Sequence, residues 1–403
     1  MEKNGQYPIF KDGYSAAGRS ISRVINQRAI VDRIYQNNGI SKAQLAKELG
    51  ISKPAISSHV ANLISLGIIL ERGEGQASVS GGRKPVMLYC NENYRYAGVL
   101  DLSLKNPVCT VCDLKYNIIG LEEIKLDGTA SLEEWRQCIK QAFLKIFSNA
   151  DVSAEKLGIM IISQPGVSND GMNTDYVGAR HHAIDPELRL FLQQVFSVPV
   201  FIKNNVNLAA VGELNFGLEE HLDNIVYISC GVGLDAGIIL RGELYEGCHR
   251  AAGEIGYLLR YDGRHVEDGV TADALVASAE KLYAENGKNE KITFPLLVER
   301  LQNDDPFIKQ AVHEAGKELG RIIQNCCVLL DISTVIFGGE YLELGSVLFN
   351  GMRDFEETTI ARHELIPSTL RDAASLYGGF VIGIERILSV LSDNKIEGGR
   401  WSC

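Results

Sequence analysis

The chain has 403 residues, 45% of them hydrophobic and 23% charged, with a formal net charge of −11. That length gives room for two or three domains with cores of their own, and the composition is globular, which excludes a disulfide-dependent miniature fold, a fibrous repeat and a disordered chain. Apolar runs such as Leu157 to Ile162 stop far short of the roughly 18 residues a spanning helix needs, and the first residues are polar with no signal-peptide core, so a cytoplasmic protein without a membrane partner is expected.

Residues 1–92 carry 12 Lys+Arg against 7 Asp+Glu, an excess of five positive charges that leaves the remainder strongly acidic. A basic segment on an acidic body is what a DNA-reading module joined to a different domain would have. From Ser20 to Asn37, Val24, Ile30, Val31, Ile34 and Tyr35 recur at helical spacing. Ser41 then caps a short helix over Lys42 to Leu49 that Gly50 closes, and a third helix opens with Pro54 in its first turn. Ile56, Val60, Leu63 and Ile64 make the inward face of that third helix, and Ser52, Lys53, Ser57, Ser58, His59 and Asn62 are left for solvent or the turn.

A recognition helix needs such a short, polar outer face to enter a major groove. Strands over Ile68 to Leu70 and Pro85 to Tyr89, joined by a Gly/Ser-rich loop from Gly73 to Lys84, supply a wing. The predicted DNA-contacting set is Ser41, Lys42, Ser52, Lys53, Ser57, Ser58, His59, Asn62, Arg83 and Lys84, with Arg83 and Lys84 on backbone or minor groove. The competing reading is a solvated hairpin beside a three-helix bundle used for protein contact.

Beyond Asn91, strand patterns at Tyr96 to Leu102, Pro107 to Leu114, Leu157 to Ile162, Val198 to Ile202, Ile225 to Ser229, Ala236 to Leu240 and Thr334 to Phe337 alternate with helical ones. The helices are placed over Leu132 to Phe147, Pro306 to Leu330 and Ala374 to Leu391, and the alternation marks an α/β body of two lobes. The expected division is a winged helix-turn-helix over 1–92, a first lobe over 93–214 with a C-terminal helix near 374–391 packing back onto it, and a second lobe over 215–403. Nine cysteines, odd in number and irregular in spacing, read as reduced thiols. Cys109 and Cys112 fall in a strand pattern, and Cys326 and Cys327 in a helical one, where buried free cysteine is the expected role.

The helix-turn-helix followed by Gly81-Gly82-Arg83-Lys84-Pro85, then Pro165-Gly166, Asn204 to Glu213 and Ala251 to Gly256, resembles the ROK family, and the resemblance covers nearly the whole chain. It implies an N-terminal winged helix-turn-helix followed by a two-lobed actin-like ATPase fold, in the repressor branch that includes xylose repressors. Three departures bear on the chemistry. Where family kinases have Asp-x-Gly-Gly-Thr beneath the ATP phosphates, this chain has Asp101-Leu102-Ser103-Leu104-Lys105, with neither glycine. Asn205 stands at the position of the family's catalytic base, and an amide cannot take the sugar proton. Tyr257 replaces the zinc-binding His, and no cysteine occurs between Cys248 and Cys326, so no zinc and no other cofactor is expected.

Gly231, Gly233 and Gly338-Gly339 remain and read as tight turns inherited with the fold. The resemblance places Asn204, Asn205, Glu254, Tyr257 and Glu267 around a sugar, Glu267 as a second carboxylate. Arg180, His181 and His182 border that site and would extend it toward an acidic or larger ligand, unless they form an exposed loop. The expected function is a non-enzymatic repressor that binds operator DNA as a homodimer or dimer of dimers and responds to a sugar or sugar derivative. The alternatives are an active sugar kinase with a DNA-binding head, and a body used only for assembly.

Overall fold

The structure, a computed structural model, describes residues 19–74, 84–104, 106–125, 130–166, 168–169, 172–173, 185, 187–220, 222–354 and 363–392. These fall into two compact units, one drawn from Met1–Ile162, Ile184–Ile202 and Gly379–Cys403, the other from Ser163–Ala183 and Lys203–Gly378.

The first unit opens with α1 (Arg19–Gln36), β1 (Ile40–Ser41), α2 (Lys42–Leu49), α3 (Lys53–Ser65), β2 (Ile69–Glu74) and β3 (Val86–Cys90). Ser41 and Gln44 form a reciprocal capping box at α2, and Gly50, at φ +64°, ends it in the left-handed region. Pro54 sits in the first turn of α3, where a missing N–H costs nothing. The strands pair in the order β1-β3-β2, so two residues before α2 complete a three-stranded wing. Ile56, Val60, Leu63, Ile30, Ile34 and Leu45 are buried between the three helices.

Next come β4 (Tyr96–Asp101), β5 (Val108–Cys112), β6 (Ile118–Glu123), α4 (Leu132–Asn149) and β7 (Leu157–Gln164). A short hairpin, β8 (Ser168–Asn169) and β9 (Met172–Asn173), falls in the second unit and precedes α5 (Leu188–Phe196) and β10 (Val200–Asn204) in the chain. The sheet order is β10-β7-β4-β5-β6. Tyr96, Leu100, Val111, Phe143, Phe147, Met160 and Ile162 share its core. Cys109 and Cys112 are buried in β5, where burial pushes both thiols up and they pack as small apolar side chains. The head rests on this lobe through the rings of Tyr35 and Tyr116, 6.4 Å apart, and through Arg28, which donates to the Glu385 carbonyl.

In the second unit are α6 (Asn205–Gly212), β11 (Ile225–Cys230), β12 (Leu234–Leu240), β13 (Glu243–Leu244), α7 (Glu267–Val270), α8 (Ala272–Glu285), α9 (Phe294–Gln302) and α10 (Pro306–Leu330). They are followed by β14 (Thr334–Gly338), α11 (Gly345–Arg353) and β15 (Glu364–Pro367). The sheet order is β13-β12-β11-β14-β15, antiparallel at β11/β12 and parallel at β11/β14 and β14/β15. Gly316 and Gly320 on α10 meet Gly351 and Met352 on α11 with backbones nearly touching, an approach that side chains would forbid. Cys326 and Cys327 are buried in α10. Finally α12 (Ala374–Ser392) begins in the second unit and continues in the first from Gly379 onward.

Candidate functional site

Two constellations carry chemistry, one on each unit. On α3 the face opposite Ile56, Val60 and Leu63 is polar. Lys53, Ser57 and Ser58 are exposed, while His59 and Asn62 are half-buried. Ser52, at the N-cap, is exposed and makes no side-chain capping bond. Lys42 is ion-paired to Glu71 at 2.8 Å, and Lys84 is exposed at the base of β3. Ser41 is different: only 4% exposed, its hydroxyl accepts from the Gln44 N–H and donates to the Gln44 side chain, so it holds the helix instead of facing solvent. Arg83 lies outside the described residues.

On the second unit, the segment Gly253 to Gly256 runs along the edge of β12 beyond the end of β13. The Ala236 N–H donates to the Gly253 carbonyl at 2.7 Å. A Cβ on Gly253, at φ +93°, would overlap the Ala236 carbonyl oxygen, and one on Gly256 would lie 2.7 Å from the Leu234 oxygen. Both glycines are therefore needed for the approach. It brings Glu254 to Asp235 of β12 and leaves Glu267, at the start of α7, beside Gly256.

Burial pushes the Asp235 carboxyl up to about 7, with the charges of Glu254 and Glu267 adding to it and a hydrogen bond to Glu254 holding the proton. Burial also raises Glu254; the hydrogen bond from Asp235 acts against that rise and Glu267 reinforces it. The Tyr257 phenol is raised by burial and then by the same three carboxylates; its ring stays 44% exposed, edge-on to His265 at 5.4 Å. Among the described residues no three of His, Cys, Asp and Glu are arranged to hold a metal ion.

Asn204 and Asn205 have different roles. Asn204 caps α6, its Oδ1 accepting from the N–H groups of Val206 and Asn207 at 2.8 and 2.9 Å while its Nδ2 donates to the Gly166 carbonyl. Asn205 and Asn207 each hold a buried Oδ1 without a hydrogen-bond partner among the described residues. Arg180, His181 and His182 lie outside those residues.

The groups beside the inherited glycines are acidic. A Cβ on Gly233 would stand 3.6 Å from Asp235 Oδ2, and one on Gly231 would stand 3.1 Å from Glu340 Oε2. On the first unit Asp101 is buried, its carboxylate accepting from the N–H and hydroxyl of Ser103 at 2.8 and 2.6 Å. Sequence reasoning missed Asp235, Asn207 and Glu340. The available signal was a carboxylate two residues past Gly231-Val232-Gly233, at the start of a strand.

The model of the ROK family matches residues 99–385, and a winged helix-turn-helix DNA-binding model matches residues 25–69. A xylose repressor of Bacillus spizizenii is 26% identical over 383 residues, spanning 93% of this chain and 99% of that protein. Among solved structures, a ROK family transcriptional regulator described as a homologue of the E. coli MLC protein aligns with TM-score 0.73 at 20% identity, over 93% of this chain and 99% of its own. A ROK family glucokinase of Streptomyces griseus, in complex with glucose and AMPPNP, aligns with TM-score 0.58 at 20% identity, over 72% of this chain and 99% of its own.

Proposed function

Starting from a chain that belongs to the ROK family and carries a winged helix-turn-helix at its N-terminus, we propose that it is a DNA-binding transcriptional repressor whose kinase-derived body binds a sugar without phosphorylating it. The observation that carries the reading is the split character of α3: a fully buried apolar face locks it to the head, and Lys53, Ser57 and Ser58 stand free on the other side, where base edges would lie. Likeness to xylose repressors over nearly their whole length supports a sugar as the effector.

The body binds and does not catalyse. Phosphoryl transfer needs a proton acceptor at the attacking hydroxyl and positive or N–H groups around the phosphates. Asn205 offers an amide at the first place. Asp235 and Glu340 bring carboxylates to the turn at Gly231 and Gly233, and Asp101 is bound by Ser103. The sugar then acts through a difference in affinity between DNA-competent and DNA-free states, commonly 1 to 3 kcal/mol. No helix among the described residues is long and apolar enough to cross a membrane.

Footprinting the DNA upstream of its own gene, with and without D-xylose and a hexose panel, tests the reading. A protected palindrome whose protection changes with one sugar is the expected result. ATP-dependent sugar phosphorylation lost in Asn205→Ala would replace it with an active kinase, and sugar-independent protection would leave the body for assembly alone.

A further inference from the structure

Resting on the reading of this chain as a repressor whose paired heads grip two half-sites, we propose that Tyr116, on the turn between β5 and β6, is a positioning residue for DNA binding. It locks the head to the first lobe, so that α3 takes its orientation from the lobe and not from a loose tether.

The turn, residues 113–117, is held from inside. Asp113, only 5% exposed, accepts from the N–H groups of Lys115 and Asn117 at 2.7 and 3.0 Å and from the Asn117 side-chain amide at 2.8 Å. The Tyr116 N–H donates to the Asp113 carbonyl, and the Asp113 N–H to the Asn117 carbonyl. The result is a tyrosine at φ +63°, a region that glycine or asparagine fills at little cost and a bulky aromatic residue rarely enters. None of these bonds uses the tyrosine side chain. The ring is spent on the head: Tyr116 is 8% exposed and meets Tyr35 of α1 edge to face. Strain of this kind persists where the neighbours over-determine it. Tyr35 in turn touches both sides. Its phenol is raised most by burial, then by Tyr116, and further by the thiols of Cys90 in β3 and Cys112 in β5, which places it between the last strand of the head and the sheet of the lobe.

The linker beside the turn is stitched at both ends. Asn91 donates its N–H to the Ile68 carbonyl at 2.9 Å and its side-chain amide to the Gly67 carbonyl at 2.7 Å, in the turn that follows α3. The next residue, Glu92, accepts from the Leu114 N–H at 3.1 Å and pairs with Lys115 at 3.6 Å. Arg95 donates to the Glu155 carbonyl at 2.7 Å. Two consecutive residues thus hold the end of α3 and the Tyr116 turn, and head and lobe fall in one compact unit. Heads held in this way meet the second half-site already aligned, whereas tethered heads lose ordering entropy on binding it.

Gel-shift measurements on the full chain test the proposal, with the palindrome protected upstream of its own gene, one half-site alone, and the palindrome widened by two base pairs at its centre. The wild-type chain should lose at least tenfold in affinity on the widened palindrome. Tyr116→Gly keeps the turn, because glycine is at home at φ +63°, and removes the ring. It should bind the half-site within twofold of wild type, bind the palindrome at least tenfold more weakly, and tolerate the widening within threefold. Tyr116→Phe should behave as wild type. Asn91→Ala should repeat the glycine pattern from the head side, and it decides alone should the first variant fold poorly. Wild-type affinity for the palindrome with an undiminished spacing penalty in Tyr116→Gly overturns the proposal and leaves the repressor reading intact. Equal losses on half-site and palindrome also overturn it, since they mark a damaged head and not a freed one. A wild-type chain that protects no DNA overturns both.

Discussion

Asp235 ties the stability of the fold to pH. An acid that keeps its proton to about pH 7 in the fold, and releases it near 4 when unfolded, makes the folded state lose ground as pH rises between those values. Above that window the penalty is constant. Asp235→Asn retains a donor for Glu254 and removes the acid, so it is expected to stabilise the protein at pH 8 by roughly 1 to 2 kcal/mol and to change little at pH 4. Denaturant unfolding of both proteins at the two pH values measures this; equal or lower stability at pH 8 would contradict it. Ser41 gives the opposite case. Its capping box is complete and buried, so Ser41→Ala should cost about 1 kcal/mol and lower operator affinity only as far as the head unfolds.

At the scale of elements, α3 separates two kinds of substitution. Leu63→Ala opens a hole in the bundle and should destabilise the head by about 2 to 5 kcal/mol, read by thermal unfolding. Ser58→Ala should leave the melting temperature unchanged and weaken discrimination at one base pair by roughly 1 to 3 kcal/mol, while Lys53→Ala should flatten the salt dependence. Equal losses on operator and random DNA for both polar variants would remove α3 from the groove. These helices were legible in the sequence because capping residues, Gly50 and Pro54 mark their ends and apolar spacing marks their buried face. α6 was not: Val206 to Gly212 is buried on all sides, so it has no amphipathic period to read. Nor was β6, whose exposed positions blur the alternation. The acidic cluster was half legible. Glu254 and Glu267 stood out by resemblance, but Asp235 is distant in sequence and joins them only because Gly253 and Gly256 let a turn lie against a strand.

For the whole molecule, a winged helix that reads a palindrome needs a second head about 34 Å away, so a homodimer or a dimer of dimers should be present in solution. Light scattering at micromolar concentration, with and without operator, checks this; a monomer in both conditions would contradict it. The path of α12 has a consequence for synthesis. Gly379 and Gly383 lie against Val99 and Ala97 of β4, so the helix that covers this sheet is the last described element to leave the ribosome. The second unit's stretch from Lys203 to Gly378 is made in between, which takes about 10 to 35 s at 5 to 20 residues per second. Throughout that interval the nascent first lobe displays an uncovered apolar sheet, a substrate for chaperones and for aggregation. A chain stopped before Ala374 should therefore pellet or remain chaperone-bound in cell extracts and lose operator binding, although every residue that would touch DNA has already been made.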